Sequence, residues 1–114
     1  MTTLPHAESA IIAAEKLRDY LLNVDHRRGG SKARLFHAFG YRRDAWTQLD
    51  HDLRESHLRQ PVIHAETGEY GVRYEIVGEL QTPVGRPLRV RSVWQIDHGT
   101  TAPRLITIVP EQPQ

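Results

Sequence analysis

At Pro61 the spacing of apolar residues changes from the period of a helix to that of a strand, and no other feature constrains the fold as much. Before it, Leu17, Tyr20, Leu21 and Val24 fall at i, i+3, i+4 and i+7, the stripe of an amphipathic helix over 14–23. Leu35, Phe36 and Phe39 mark a second helix over 31–39, closed by Gly40. Trp46, Leu49 and Leu53 mark a third, capped by Asp44. Ile11 and Ile12 read either as a short strand or as the lead into the first helix. After Pro61 the period is two. Val72, Tyr74 and Ile76 alternate with Arg73, Glu75 and Val77 in a strand over 70–80. Leu88, Val90, Ser92, Trp94 and Ile96 share one face of the next, and a last strand covers 104–109. Residues 62–66 add an edge strand, and turns fall at Pro83–Arg86 and Asp97–Thr100. Two to three helices followed by a meander predict an α+β fold, with the helices packed on one face of a four-stranded antiparallel sheet.

At 114 residues the chain is expected to form a single domain over 1–114 with an ordered core of about 10–110. It has no cysteine, which excludes a disulfide framework and thiolate metal sites and suits the cytoplasm. The apolar run Ala10–Ala14 is too short for a signal sequence or a membrane span, so no membrane role is expected. A net charge of +1 excludes bulk polyanion coating. The charge is nevertheless uneven. Residues 26–43 carry six Lys or Arg and no acid.

The candidate site lies in that basic stretch. His26 and Arg28 precede Gly29 and Gly30; Ser31 is placed to cap the second helix, and Lys32 follows. Glycines let backbone approach a ligand, and a helix N-terminus attracts anions, so Arg28, Gly30, Ser31 and Lys32 are expected to contact a phosphate. His26, following Asp25, is the histidine best suited to acid–base chemistry near neutral pH. The order Gly-Ser-Lys excludes a nucleotide P-loop, and no strand pattern feeds into it. Seven histidines lack the spacing of metal ligands, so neither metal nor cofactor is expected. Ser92 and Thr107 interrupt apolar alternations on neighbouring strands. A buried hydroxyl needs a partner, supplied either by backbone or by a phosphate held together with Arg91 or Arg89. Trp94 shares the apolar parity of the core, with base stacking as its other reading.

The ordered set Lys16-Leu-x-Asp-Tyr20, His26-x-x-Gly-Gly-Ser-Lys32-Ala-x-x-Phe36, Gly40-Tyr41, Tyr70-Gly71-x-x-Tyr74, Gly85-Arg86, Val93-Trp94-x-Ile and Pro103-Arg104-Leu-x-Thr107-x-x-Pro110 resembles a small bacterial domain-of-unknown-function family. Its members occur as short standalone proteins, often beside a very small partner, and at the C-termini of filamentous-haemagglutinin-like adhesins and other polymorphic toxins. The helices-then-sheet plan is similar, more loosely, to the barnase/EndoU/colicin/RelE group of metal-independent ribonucleases. The resemblance marks His26, Lys32, Trp94 and Thr107; Ser92 stands where many relatives have threonine, and Thr107-Ile108-Val109-Pro110 replaces a more usual Thr-Ala-Tyr-Pro.

What the resemblance implies is a toxin-like, metal-independent endoribonuclease. His26 serves as acid or base, Lys32 and Arg91 stabilise phosphorane charge, and Ser92 and Thr107 position the scissile phosphate, with Arg28, Gly30, Ser31 and Trp94 as further binding residues. The implied partners are RNA and a small cognate antitoxin or immunity protein. The alternative is a non-catalytic module that binds RNA or an acidic partner through the patch at 26–43. The catalytic reading requires the basic corner and the strand hydroxyls to share one cavity.

Overall fold

The computed structural model describes residues 2–27 and 30–111. Its frame is a four-stranded antiparallel meander in the order β1-β2-β3-β4, with β1 at Val62–Thr67, β2 at Gly71–Gln81, β3 at Pro87–Asp97 and β4 at Arg104–Pro110. Strand alternation puts Ile76, Leu80, Leu88, Val90, Trp94, Leu105 and Ile108 on one face, all buried. Ile76 pairs with Ser92, and Ser92 with Ile108, so this row crosses three strands in register. Leu17, Leu21, Phe36, Leu49 and Leu53 from the helical half complete the core over that face. The α+β arrangement is the one the change of period predicts.

The helical half departs from expectation in three places. The first segment, Lys16–Leu21, is a π-helical turn rather than an α-helix over 14–23, and its wide ring is closed by the Leu22 N–H on the Leu17 carbonyl (2.8 Å). Leu17 and Leu21 enter the core, whereas Tyr20 is only half buried. Helix α1 spans Gly30–Ala38, so Ser31 lies inside its first turn rather than capping it. Asp44 caps nothing: it sits in a 3-10 turn, Arg43–Ala45, and Trp46 precedes helix α2 (Thr47–Glu55) with no side-chain cap.

The stop at Gly40 follows the expected chemistry. Gly40 has φ +99°, its N–H bonds the His37 carbonyl, and the Tyr41 N–H bonds the Phe36 carbonyl. This pair of bonds with a left-handed glycine is the Schellman ending, completed by the edge-on contact of Phe36 and Tyr41, ring centroids 6.2 Å apart. Tyr41 then donates its hydroxyl to Asp52 (2.7 Å), fixing α2 against the sequence that leaves α1.

Two features of the last strand position the site. A register shift opposite Val93 and Trp94 inserts one residue in β4, so that Leu105 pairs with Trp94 but Thr107 pairs with Val93. Along its outer edge β4 meets, in turn, the backbone of Ile11 (a parallel bridge to Arg104), the Lys16 ammonium on the Ile106 carbonyl (3.0 Å) and the Lys32 ammonium on the Ile108 carbonyl (3.3 Å).

Candidate functional site

A cavity of about 450 Å³ opens where the π-helical turn and the loop after it face the edge of β4. Glu15, Lys16, Tyr20, His26 and Thr107 line it, with Leu21, Leu105 and Ile106 as its apolar wall. The His26 ring stands edge-on to Tyr20 at 4.7 Å between centroids, and the Lys32 ammonium lies 4.8 Å from the centre of the same Tyr20 ring. Tyr20 therefore holds a histidine by its edge and a lysine by its face, a cation–π contact. Lys32, in the first turn of α1, does not line the cavity; it adjoins it through the Tyr20 ring and through its hydrogen bond to Ile108, the residue that follows Thr107. His26 of the basic corner and Thr107 thus line one concave surface, which also carries the Lys16 ammonium, the Glu15 carboxylate and the Tyr20 phenol.

The remaining expected residues lie elsewhere. Ser92 is 0% exposed, and its Oγ accepts the Trp94 indole N–H (2.8 Å) and lies 2.7 Å from His57 Nε2. Its hydroxyl is consumed by two core side chains, so the expectation that it positions a phosphate is corrected. Trp94, also 0% exposed, is core and not a stacking surface. Arg91 projects from the opposite face of β3 and is held by Glu75 (2.6 Å) and Glu111 (3.2 Å), which raise its pKa. A guanidinium paired with two carboxylates is not positioned to stabilise charge in this cavity. Gly30 is buried, and a Cβ there would stand 2.6 Å from the Val24 carbonyl; the missing side chain serves close backbone packing rather than ligand approach. Ser31 is exposed and does not line the cavity. Arg28 lies outside the described residues.

Sequence reasoning missed Glu15, Lys16 and Tyr20 as cavity residues. Lys16 and Tyr20 stand in the shared motif, but Tyr20 fits an apolar helical stripe and so reads as core. His57 is 0% exposed; burial pushes its pKa down to about 4, offset in part by the backbone carbonyls of Glu79 and Gly78. Its Nδ1 has no hydrogen-bond partner among the described residues. Also among the described residues, no group of three or more His, Asp or Glu is disposed to hold a metal, and no helix is long and apolar enough to cross a membrane.

The fold is similar to that of a solved chain in a contact-dependent growth inhibition toxin–immunity protein complex from Klebsiella pneumoniae 342. The TM-score is 0.72 at 16% identity, covering 94% of this chain and 97% of that one. No curated protein matches the sequence. Residues 3–112 match a domain of unknown function, DUF6883, and the chain belongs to that family.

Proposed function

We propose that this domain is a toxin-like, metal-independent endoribonuclease, active in the cytoplasm where its RNA substrate lies and restrained by a small immunity partner. One observation carries the reading: His26 and Thr107, singled out separately from the sequence, line a single cavity with Tyr20, and Lys32 lies against that Tyr20 ring. The likeness to a chain of a toxin–immunity complex supports the toxin context and the partner. In cleavage of this kind the RNA 2′-oxygen attacks the neighbouring phosphorus, the bond to the 5′-oxygen breaks, and a cyclic phosphate forms. One proton leaves the 2′-hydroxyl and one reaches the departing 5′-oxygen. His26 handles one of these transfers, and Glu15, which lines the same cavity, is the group placed for the other. Lys32 stabilises the charge that builds on the phosphoryl oxygens, and the Thr107 hydroxyl orients them.

Incubation of the purified domain with total RNA tests this. His26→Ala should slow cleavage by about 10²–10⁴-fold, and Lys32→Ala by about 10²–10³-fold. RNA cut equally well by both variants sinks the proposal. The second reading, a binding module, is favoured by the exposure of Arg27, Arg34 and Arg42 on the basic stretch. Such a module would protect RNA in a salt-dependent way and leave it intact.

A further inference from the structure

The two lysines on the edge of β4 carry more than edge protection demands. Lys16 and Lys32 come from different segments, the π-helical turn and α1, yet both ammonium groups end on the same strand edge, on carbonyls two residues apart. A regular strand separates carbonyls at i and i+2 by about 7 Å; the residue inserted in β4 falls at this step, so that figure sets only the scale for the two anchors, a scale comparable with the spacing of neighbouring phosphates in a single strand. An ammonium has three donors and a strand carbonyl occupies one of them. Each lysine is half buried rather than waving in solvent. Lys16 lines the cavity itself, beside Leu105 and Ile106, and Lys32 stands further along the strand, past Thr107.

We propose that Lys16 and Lys32 form a two-phosphate clamp in which Lys32 takes the scissile phosphate and Lys16 its neighbour along the same strand. The proposal rests on the ribonuclease reading for the identity of the ligand. It makes the substrate an oligonucleotide with at least two consecutive phosphates rather than a dinucleotide or a free nucleotide. The strand ties the two lysines together, because their anchoring carbonyls belong to one backbone segment. Lys16 is accordingly a binding residue, and its loss weakens substrates that carry the second phosphate and spares those that do not.

The test uses a non-cleavable probe, so that binding is read apart from catalysis. Pentathymidylate, which lacks the 2′-hydroxyl, is titrated against the whole domain between about 50 and 200 mM salt. Removing one ammonium from a single-strand phosphate should lower the slope of log K against log salt by about 0.7. Lys16→Gln and Lys32→Gln should each show that drop, and the double variant about twice it. Lys16→Arg, which keeps the charge, should retain the wild-type slope and guards against a folding artefact. With thymidylyl-thymidine, which has one phosphate, competition should reveal weaker binding for Lys32→Gln and none of that weakening for Lys16→Gln. The clamp is overturned by a wild-type slope in Lys16→Gln, by equal weakening of both variants on the one-phosphate probe, or by wild-type protein that does not bind pentathymidylate. If the slopes fall as stated but no RNA is cleaved, the clamp stands and the catalytic reading fails. Cleavage that needs His26, with an unchanged Lys16→Gln slope, gives the converse.

Discussion

Lowering the pH from 7 to 5 should cost this domain about 2 kcal/mol of stability through one residue, His57. The imidazole is fully buried, bonded through Nε2 to Ser92, and its Nδ1 has no hydrogen-bond partner among the described residues. Protonation would place a charge in a buried site, and the carbonyls of Glu79 and Gly78 offset only part of that cost, which is why burial holds the pKa near 4. In the unfolded chain the same group titrates near 6.5. Between those values the unfolded state binds the extra proton and the folded state does not, so stability falls as pH falls. The contribution is fully present above pH 6.5 and is lost as the pH drops through 4, with a total of about 3 kcal/mol at 1.36 kcal/mol per pH unit. About 2 kcal/mol of it falls between pH 7 and 5, above the range where ordinary carboxylates titrate. Urea unfolding followed by tryptophan fluorescence at pH 7, 6 and 5 reads the slope directly. His57→Leu removes the titrating group and leaves the Trp94 N–H its acceptor on Ser92, so its stability should depend far less on pH over this range. An identical pH slope in the wild type and in His57→Leu would refute the argument.

Ser92→Ala strips the acceptor from the Trp94 indole and the partner from His57; two buried polar groups at about 1–3 kcal/mol each predict a loss of about 2–6 kcal/mol in urea melts, with RNA cleavage per folded molecule unchanged. Arg91→Met breaks the pairs with Glu75 and Glu111 on the open face of the sheet and should cost less than about 1 kcal/mol, again without slowing cleavage. Thr107→Val, at the cavity, should do the reverse: cleavage slows at near-constant melting temperature. Gly71→Ala should be worse than Gly78→Ala. A Cβ at Gly71 runs into the backbone carbonyl of Ile96, which cannot yield; at Gly78 it meets the Gln60 amide, which can swing away at the cost of its bonds to Glu79. Parallel thermal melts of the two variants settle the order.

The sheet was legible because parity along a strand is a local property. The residues that alternate in β2 and β3 face the core or the open side as their spacing requires, and the edge strand at 62–66 appears one residue longer, as Val62–Thr67. Thr107 was harder to place. It shares the apparent parity of Leu105 and Val109, and only the residue inserted in β4, which arises from pairing with β3, turns it away from the buried row of Leu105 and Ile108. Ser92 shows that a core hydroxyl needs partners but not which: His57 is 35 residues away and reaches it from the 3-10 turn His57–Arg59 that follows α2. Tyr20 reads as stripe because a π-helical turn leaves no mark in apolar spacing and displaces a side chain that a 3.6-residue period would bury. Gly30 suggests ligand approach because a glycine before a helix does not announce which backbone it lets near.

The covered edge of β4 has a bearing on how copies of this domain could stick to one another. Sheets polymerise when both borders offer unsatisfied backbone to a neighbour, because each added copy then exposes a fresh border. Here one border is already occupied by Ile11, Lys16 and Lys32, and only β1 remains at the other, steadied at its start by the Val62 N–H on the Thr2 carbonyl. Two molecules joined β1 to β1 would have used up what each had to give. Self-association through the sheet therefore terminates at a symmetric pair and does not run on into a fibre.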